Sequence, residues 1–69
     1  MNSGVVSANG EPVTVALPCT IEQFLIDQDL PPRTVVVEHN GEAVAPSKFP
    51  DRPVRDGDRL EIIRIVAGG

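Results

Sequence analysis

The sequence predicts an α+β domain: a mixed sheet of four to five strands with one main helix packed across one face. Three observations carry this expectation. Hydrophobic residues make up 41% of the 69-residue chain, yet its only aromatics are Phe24 and Phe49. The core must therefore be built from Val, Ile and Leu, a bias that suits strands. Two Asn-Gly pairs, Asn9-Gly10 and Asn40-Gly41, stand between short apolar runs. Asn-Gly supplies the positive φ angles of a tight hairpin turn. Only the stretch after Thr20 has helical spacing, with Ile21, Phe24 and Leu25 at i, i+3 and i+4.

The elements follow in order. Val5 to Ala8 and Glu11 to Leu17 read as a hairpin about Asn9-Gly10. Val13, Val15 and Leu17 alternate and share the core face. Pro12 has no N–H and belongs at a strand start or edge. Pro18 breaks the strand. Thr20 and Gln23 have capping-box spacing, with Thr20 as N-cap. The helix runs to about Gln28, with Ile26 at the margin of its buried stripe. Leu30 before Pro31-Pro32 ends it, because proline disfavours helical angles in the preceding residue. Arg33 to Glu38 reads as a strand, with His39 leading into the second Asn-Gly turn. Glu42 to Val44 returns. Pro46 to Pro53 is an irregular connection anchored by Phe49. Asp56-Gly57-Asp58 is a turn, and Arg59 to Val66 is the last strand. The order is β-β-α-β-β-β, with the first and last strands long enough to pair centrally. A helix on one sheet face is the smallest layout that buries these stripes on each other. Residues 1–69 read as one domain, with a flexible tail over 66–69.

Composition excludes several function classes. The net charge of −4 disfavours nucleic acid, whose phosphates repel such a domain, and suits a basic protein partner. No apolar segment is long enough to span a bilayer. Met1-Asn2-Ser3-Gly4 has neither a basic region nor an apolar core, so no leader peptide is expected. Cys19 is the only cysteine, which precludes an internal disulfide and fits a reducing compartment. The expected location is the cytoplasm, and the expected free state a monomer.

Few side chains suggest chemistry. Asp56-Gly57-Asp58 lacks the further carboxylates of a calcium loop, so turn chemistry is the better reading. His39 is the only histidine and has no ligand-spaced partner, so no metal site is expected. It reads as a polar residue entering a turn. Cys19 precedes the helix, where the dipole is expected to lower its pKa, but it has no motif partner and reads as a small structural residue. The glycines form no phosphate loop, so any ATP must be bound by a partner.

Two features remain. In the last strand Leu60 and Ile62 suit the helix-covered face, which leaves Ile63 and Ile65 on the open face. By the same alternation Val35 and Val37 point inward and Val36 outward. Val36, Ile63 and Ile65 are expected to form an exposed apolar patch, a common mark of an interface. The sequence closes on Val66-Ala67-Gly68-Gly69, a diglycine directly after a strong strand. Without side chains, those glycines can thread a narrow channel and present a carboxylate to another enzyme.

The run Val37-Glu38-His39-Asn40-Gly41-Glu42-Ala43-Val44 resembles the ThiS family, the small sulfur carriers of thiamine (thiazole) biosynthesis. So do Pro46, Phe49, Asp56-Gly57-Asp58, Leu60-Glu61-Ile62-Ile63 and Val66-Ala67-Gly68-Gly69. The resemblance covers nearly the whole chain. It departs in a few extra residues before the first strand and in the Ser47 to Phe49 region, filled here by Lys48 and Phe49. The resemblance implies a ubiquitin-like β-grasp fold. It also implies a carrier, not an enzyme, with no cofactor of its own. A ThiF-like adenylyltransferase would use MgATP to activate the Gly69 carboxylate. A persulfide sulfur on a partner would then convert it to a thiocarboxylate, and a ThiG-like thiazole synthase would receive the sulfur. Gly68, Ala67 and Val66 would lead the tail into the partner's channel, and Val36, Ile63 and Ile65 would dock on it. Three other readings use the same features: a MoaD-like carrier of molybdopterin synthesis, a ubiquitin-like protein modifier, and a β-grasp ligand-binding module with an incidental diglycine.

Overall fold

A computed structural model describes residues 2–65. The described elements are β1 (Asn2–Ala8), β2 (Glu11–Leu17), β3 (Cys19–Thr20), α1 (Ile21–Asp27), β4 (Val35–His39), β5 (Glu42–Val44), β6 (Pro53–Val54) and β7 (Arg59–Arg64). Short 3-10 helices occupy Pro32–Thr34 and Pro46–Asp51. The main sheet has the order β2-β1-β7-β4-β5, with β1 and β7 parallel and its other pairings antiparallel. The first and last strands therefore pair at the centre, as expected, and β2 with its Pro12 lies at an edge. β3 and β6 form a separate two-stranded sheet, Cys19 opposite Val54 and Thr20 opposite Pro53.

The core lies on one face of the main sheet. Val6, Val37 and Leu60 from the sheet meet Ile21, Phe24 and Leu25 from α1. Phe49 closes the core from the second 3-10 helix. Burying an aliphatic or aromatic side chain of this size contributes roughly 1.5–3 kcal/mol. Both Asn-Gly pairs adopt the expected turn, with φ of 52° and 84° at Asn9-Gly10 and 52° and 85° at Asn40-Gly41.

Several boundaries differ from the sequence reading. The extra N-terminal residues do not precede β1; they belong to it, with Asn2 opposite Leu17. Gly4 makes this possible. A Cβ there would stand 2.8 Å from Leu17 Cδ1 and 3.0 Å from Asp56 Oδ1. The space lets Asp56 Oδ1 accept the Val5 N–H at 2.8 Å. Arg33 and Thr34 are not strand residues. The Thr34 N–H and hydroxyl both donate to the Pro31 carbonyl, at 2.9 and 2.7 Å, closing a 3-10 turn. Pro46 to Pro53 is more ordered than a loop, because the 3-10 helix seats Phe49 and Pro53 begins β6. β7 is assigned only to Arg64, and the predicted strand residue Val66 lies outside the described residues.

The helix ends are also instructive. Thr20 Oγ1 accepts the Gln23 N–H at 3.1 Å, as an N-cap should. The reciprocal half of the capping box is absent, since Gln23 Nε2 donates to Asp27 Oδ1 instead. At the other end the prolines are not what stops α1. Asp29 takes a φ of 59° and its N–H reaches the Ile26 carbonyl, while the Leu30 N–H reaches the Leu25 carbonyl. This is a Schellman closure with aspartate where glycine is usual. Ile26 is exposed beside it, not merely marginal.

Candidate functional site

β7 organises the candidate site because it sits mid-sheet and leads toward the tail. Leu60 is fully buried and Ile62 half-buried, so Glu61 and Ile63 project from the opposite, open face. Ile63 lies directly across from Val36 on β4. Beyond the strand, the Ile65 N–H donates to the Thr34 carbonyl at 2.7 Å, which extends the pairing one step. Val36, Ile63 and Ile65 are 46%, 62% and 52% exposed. The three predicted patch residues thus form a contiguous apolar strip on the face away from α1. The predicted tail residues Val66, Ala67, Gly68 and Gly69 lie outside the described residues.

Two asparagines fix β7 in place. The Asn9 side chain pairs with the backbone of Ile62: its Oδ1 accepts the N–H at 2.7 Å and its Nδ2 donates to the carbonyl at 3.0 Å. It continues, with an amide, the pairing that β1 gives up at the turn. Asn40 pairs with Arg59 on the other side of β7, its Oδ1 accepting the Arg59 N–H at 2.8 Å and its backbone N–H donating to the Arg59 carbonyl at 2.8 Å. Buried or inter-strand backbone groups need partners, and here side chains supply them.

His39 corrects the sequence reading. It does not merely enter a turn; it is the last residue of β4 and only 7% exposed. The alternation Val35, Val37, His39 carries it to the inner face, a signal present in the sequence but overshadowed by the adjacent Asn-Gly. Arg52 Nε–H donates to His39 Nδ1 at 3.0 Å, and His39 Nε2 lies 2.6 Å from Asp58 Oδ2. A guanidinium can only donate, so Nδ1 accepts and the ring hydrogen sits on Nε2, aimed at Asp58. Arg52 also bonds Glu42. Asp58 further accepts from Asn40 Nδ2 at 3.1 Å and from the Arg55 N–H at 2.8 Å. Burial pushes the Asp58 carboxyl up, but the bonds from His39, Arg55 and Asn40 outweigh it and hold it below its ordinary value. This network is structural: it ties β4, the β4–β5 turn, the segment before β6 and the root of β7.

The Cys19 expectation also changes. Burial, then the Asp27 carboxylate, push its thiol pKa up, not down. The local environment overrides the dipole, and Cys19 is held as a thiol that packs against the core. Among the described residues no three or more His, Cys, Asp or Glu side chains are placed to hold a metal ion. Among them, too, no helix is long and apolar enough to cross a membrane.

The chain has no catalytic constellation of its own in the described residues, but it has an exposed strip leading toward a diglycine. The ThiS family model matches residues 6–69, which includes both. The chain belongs to the ThiS family. It is a sulfur carrier of thiamine biosynthesis, a carrier protein rather than an enzyme. The sulfur carrier protein ThiS of Thermus thermophilus is 35% identical over 65 residues, spanning 94% of this chain and 100% of that protein. A thiazole synthase of Paramagnetospirillum magneticum is 38% identical over 61 residues, covering 88% of this chain. The matched stretch is only 19% of that synthase. The crystal structure of a ThiS thiamine biosynthesis protein from Geobacter metallireducens superposes with a TM-score of 0.81 at 31% identity, covering 94% of this chain and 99% of that one. A solution structure of a thiamine biosynthesis protein from the same organism gives 0.78 at 31% identity, covering 94% and 87%. The β-grasp fold implied by the resemblance is therefore the fold observed.

Proposed function

We propose that Gly69 is the group on which this ThiS-family chain carries sulfur, and that it is activated and sulfurated by enzymes the chain visits. A free carboxylate is a poor electrophile. A ThiF-like adenylyltransferase, using MgATP, joins the Gly69 carboxylate to the α-phosphorus of ATP and expels pyrophosphate. The acyl-adenylate now has AMP as a leaving group. The terminal sulfur of a persulfide on a partner cysteine attacks the acyl carbon and displaces AMP, giving an acyl disulfide. A second thiol then attacks the partner's sulfur, and the Gly69 thiocarboxylate leaves as the new disulfide forms. A ThiG-like thiazole synthase consumes that sulfur.

The observation that carries this reading is the match to the ThiS family through residue 69. The thiazole synthase that contains a stretch similar to this chain supports a synthase of that kind as partner. It also favours the thiazole pathway over the molybdopterin one. Gly68 and Gly69 suit passage through a narrow channel, since neither has a side chain, and Val66 and Ala67 would lead the tail into it. Val36, Ile63 and Ile65 supply an apolar strip on the side of the sheet that a partner can reach.

Intact-mass spectrometry tests the reading. The chain is incubated with ATP, a persulfide-generating sulfur donor and the adenylyltransferase from its own genome. The expected result is a mass gain equal to one sulfur replacing one oxygen, localised to Gly69 by fragmentation. No gain, or a gain at another residue, overturns it. Gly69→Ala is expected to lose most adenylation, because a methyl group crowds the reacting carbonyl; ATP–pyrophosphate exchange at the wild-type rate would contradict this.

A further inference from the structure

The two side chains that clamp β7 from its flanks, Asn9 and Asn40, both precede a glycine, and both turns are exposed. Asparagine is a chemically labile side chain. It is most labile before glycine. The backbone nitrogen of the next residue can close on the side-chain amide carbon, and glycine has no Cβ to crowd that ring. Among the described residues no acceptor holds the Gly10 N–H, so the nucleophile is free. The amide is what is held. Asn9 Oδ1 accepts the Ile62 N–H at 2.7 Å, and Nδ2 donates to the Ile62 carbonyl at 3.0 Å. While both bonds stand, the Asn9 Cγ is not free to swing toward the Gly10 nitrogen. Reaction there waits on local opening.

The two clamps differ in how readily they open. β1 and β7 are in register only at Ser7–Arg59 and Ala8–Leu60, and beyond them the Asn9 amide is the bridge to Ile62. β4 and β7 are in register from Val35–Arg64 to His39–Leu60. Asn40 Nδ2 donates to the Asp58 carboxylate, which His39 and the Arg55 N–H also hold. Opening at Asn9 disturbs a short junction, whereas opening at Asn40 breaks into the network. Local openings start where few bonds must be broken.

We propose that Asn9-Gly10 is a self-modification site that acts as a one-way latch on β7. Once the amide has opened from Ile62, the Gly10 nitrogen attacks the Asn9 Cγ. The new C–N bond closes a five-membered imide, the bond from Cγ to Nδ2 breaks, and the Gly10 proton leaves with that nitrogen as ammonia. Water then opens the imide at one of its two carbonyls, giving aspartate or isoaspartate. Neither product restores the latch. Aspartate puts an ionised oxygen where Nδ2 gave a hydrogen to the Ile62 carbonyl. Isoaspartate routes the backbone through the old side chain and leaves a carboxylate one carbon shorter. The end of β7 that leads to the tail is then paired through β4 alone. Its effect on Gly69 activation rests on the carrier reading above; the chemistry at Asn9 does not.

The test is ageing of the full chain in warm, mildly alkaline buffer, with peptide maps read by mass for exchange of NH2 for OH. Conversion is expected at Asn9 ahead of Asn40. The converted chain carries one more negative charge, so ion exchange separates it. In its isoaspartyl form the Ile62 amide should exchange with solvent about tenfold faster. Asn9→Asp copies the other product without ageing. It should unfold at lower urea concentration than wild type at neutral pH, and the gap should narrow in acid, where a protonated carboxyl can again donate to Ile62. With the adenylyltransferase from the same genome, the converted chain should raise KM for ATP–pyrophosphate exchange and leave kcat unchanged. Conversion at Asn40 first, an equally protected Ile62 amide in the isoaspartyl chain, or an unchanged KM overturns the latch. If wild type never gains sulfur, the carrier reading fails, while the peptide maps and amide exchange still decide the latch.

Discussion

Asn9 shows how much one side chain can do that its local sequence does not reveal. Its place before Gly10 announces a hairpin turn, and the φ of 52° bears that out. Its amide also completes the backbone pairing of Ile62, which lies 53 residues away. Nothing in the local pattern announces this, because it depends on β1 and β7 being parallel neighbours. His39 was legible in part. Its alternation with Val35 and Val37 marks an inward position, but Arg52 and Asp58 become its partners only in the folded chain. Asn9→Gly separates the two roles of Asn9, since glycine keeps the positive φ and discards the amide. The variant is expected to lose about 1–2 kcal/mol in urea unfolding. The Ile62 amide should exchange faster with solvent, because its acceptor is gone. Unchanged stability together with a still-protected Ile62 amide would show that the pairing is incidental.

At the scale of the element, α1 is delimited by two caps of unequal quality. Thr20 satisfies the Gln23 N–H, so Thr20→Ala should cost about 1 kcal/mol. Asp29 occupies the left-handed position of the Schellman closure, where an L side chain is strained. Asp29→Gly relieves that strain and is expected to stabilise by up to about 1 kcal/mol, less the added freedom of glycine in the unfolded chain. Opposite shifts of the thermal midpoint would check both; a loss in Asp29→Gly would mean that the aspartate makes a compensating contact. The helix and its buried face were legible from spacing and from the cap residue. The residue pattern points to Pro31-Pro32 as its stop, whereas the chain turns two residues earlier, at Asp29. The prolines instead set up the 3-10 turn that removes Arg33 and Thr34 from β4. β-branched residues suggest strands, but a Pro31 carbonyl that accepts from Thr34 twice wins locally.

Across the whole molecule, the network of Glu42, Arg52, His39, Asp58 and Asn40 joins the β4–β5 side of the sheet to the β6–β7 turn, and so holds the base of the strand that leads to the tail. Its acid sensitivity follows from its carboxylates. Burial alone would raise Asp58, yet its hydrogen bonds hold it below the ordinary value. Glu42 is lowered by the Arg52 hydrogen bond and then by the Arg52 charge, but it is fully exposed, so solvent screens it and its share is small. A carboxyl whose folded value is depressed binds protons more readily when unfolded. Its contribution is fully present above the unfolded value, about 3.9 for aspartate, and is lost as pH falls through the folded value. Wild type should therefore become easier to unfold in urea as pH falls from about 5 to below about 3. Asp58→Asn should be less stable at neutral pH, because Asn cannot accept on both oxygens, and its decline with acid should be shallower. Parallel acid profiles for the two proteins would place the titration elsewhere. In that case the root of the tail would be held by the Asn9 and Asn40 amides without help from the Asp58 charge.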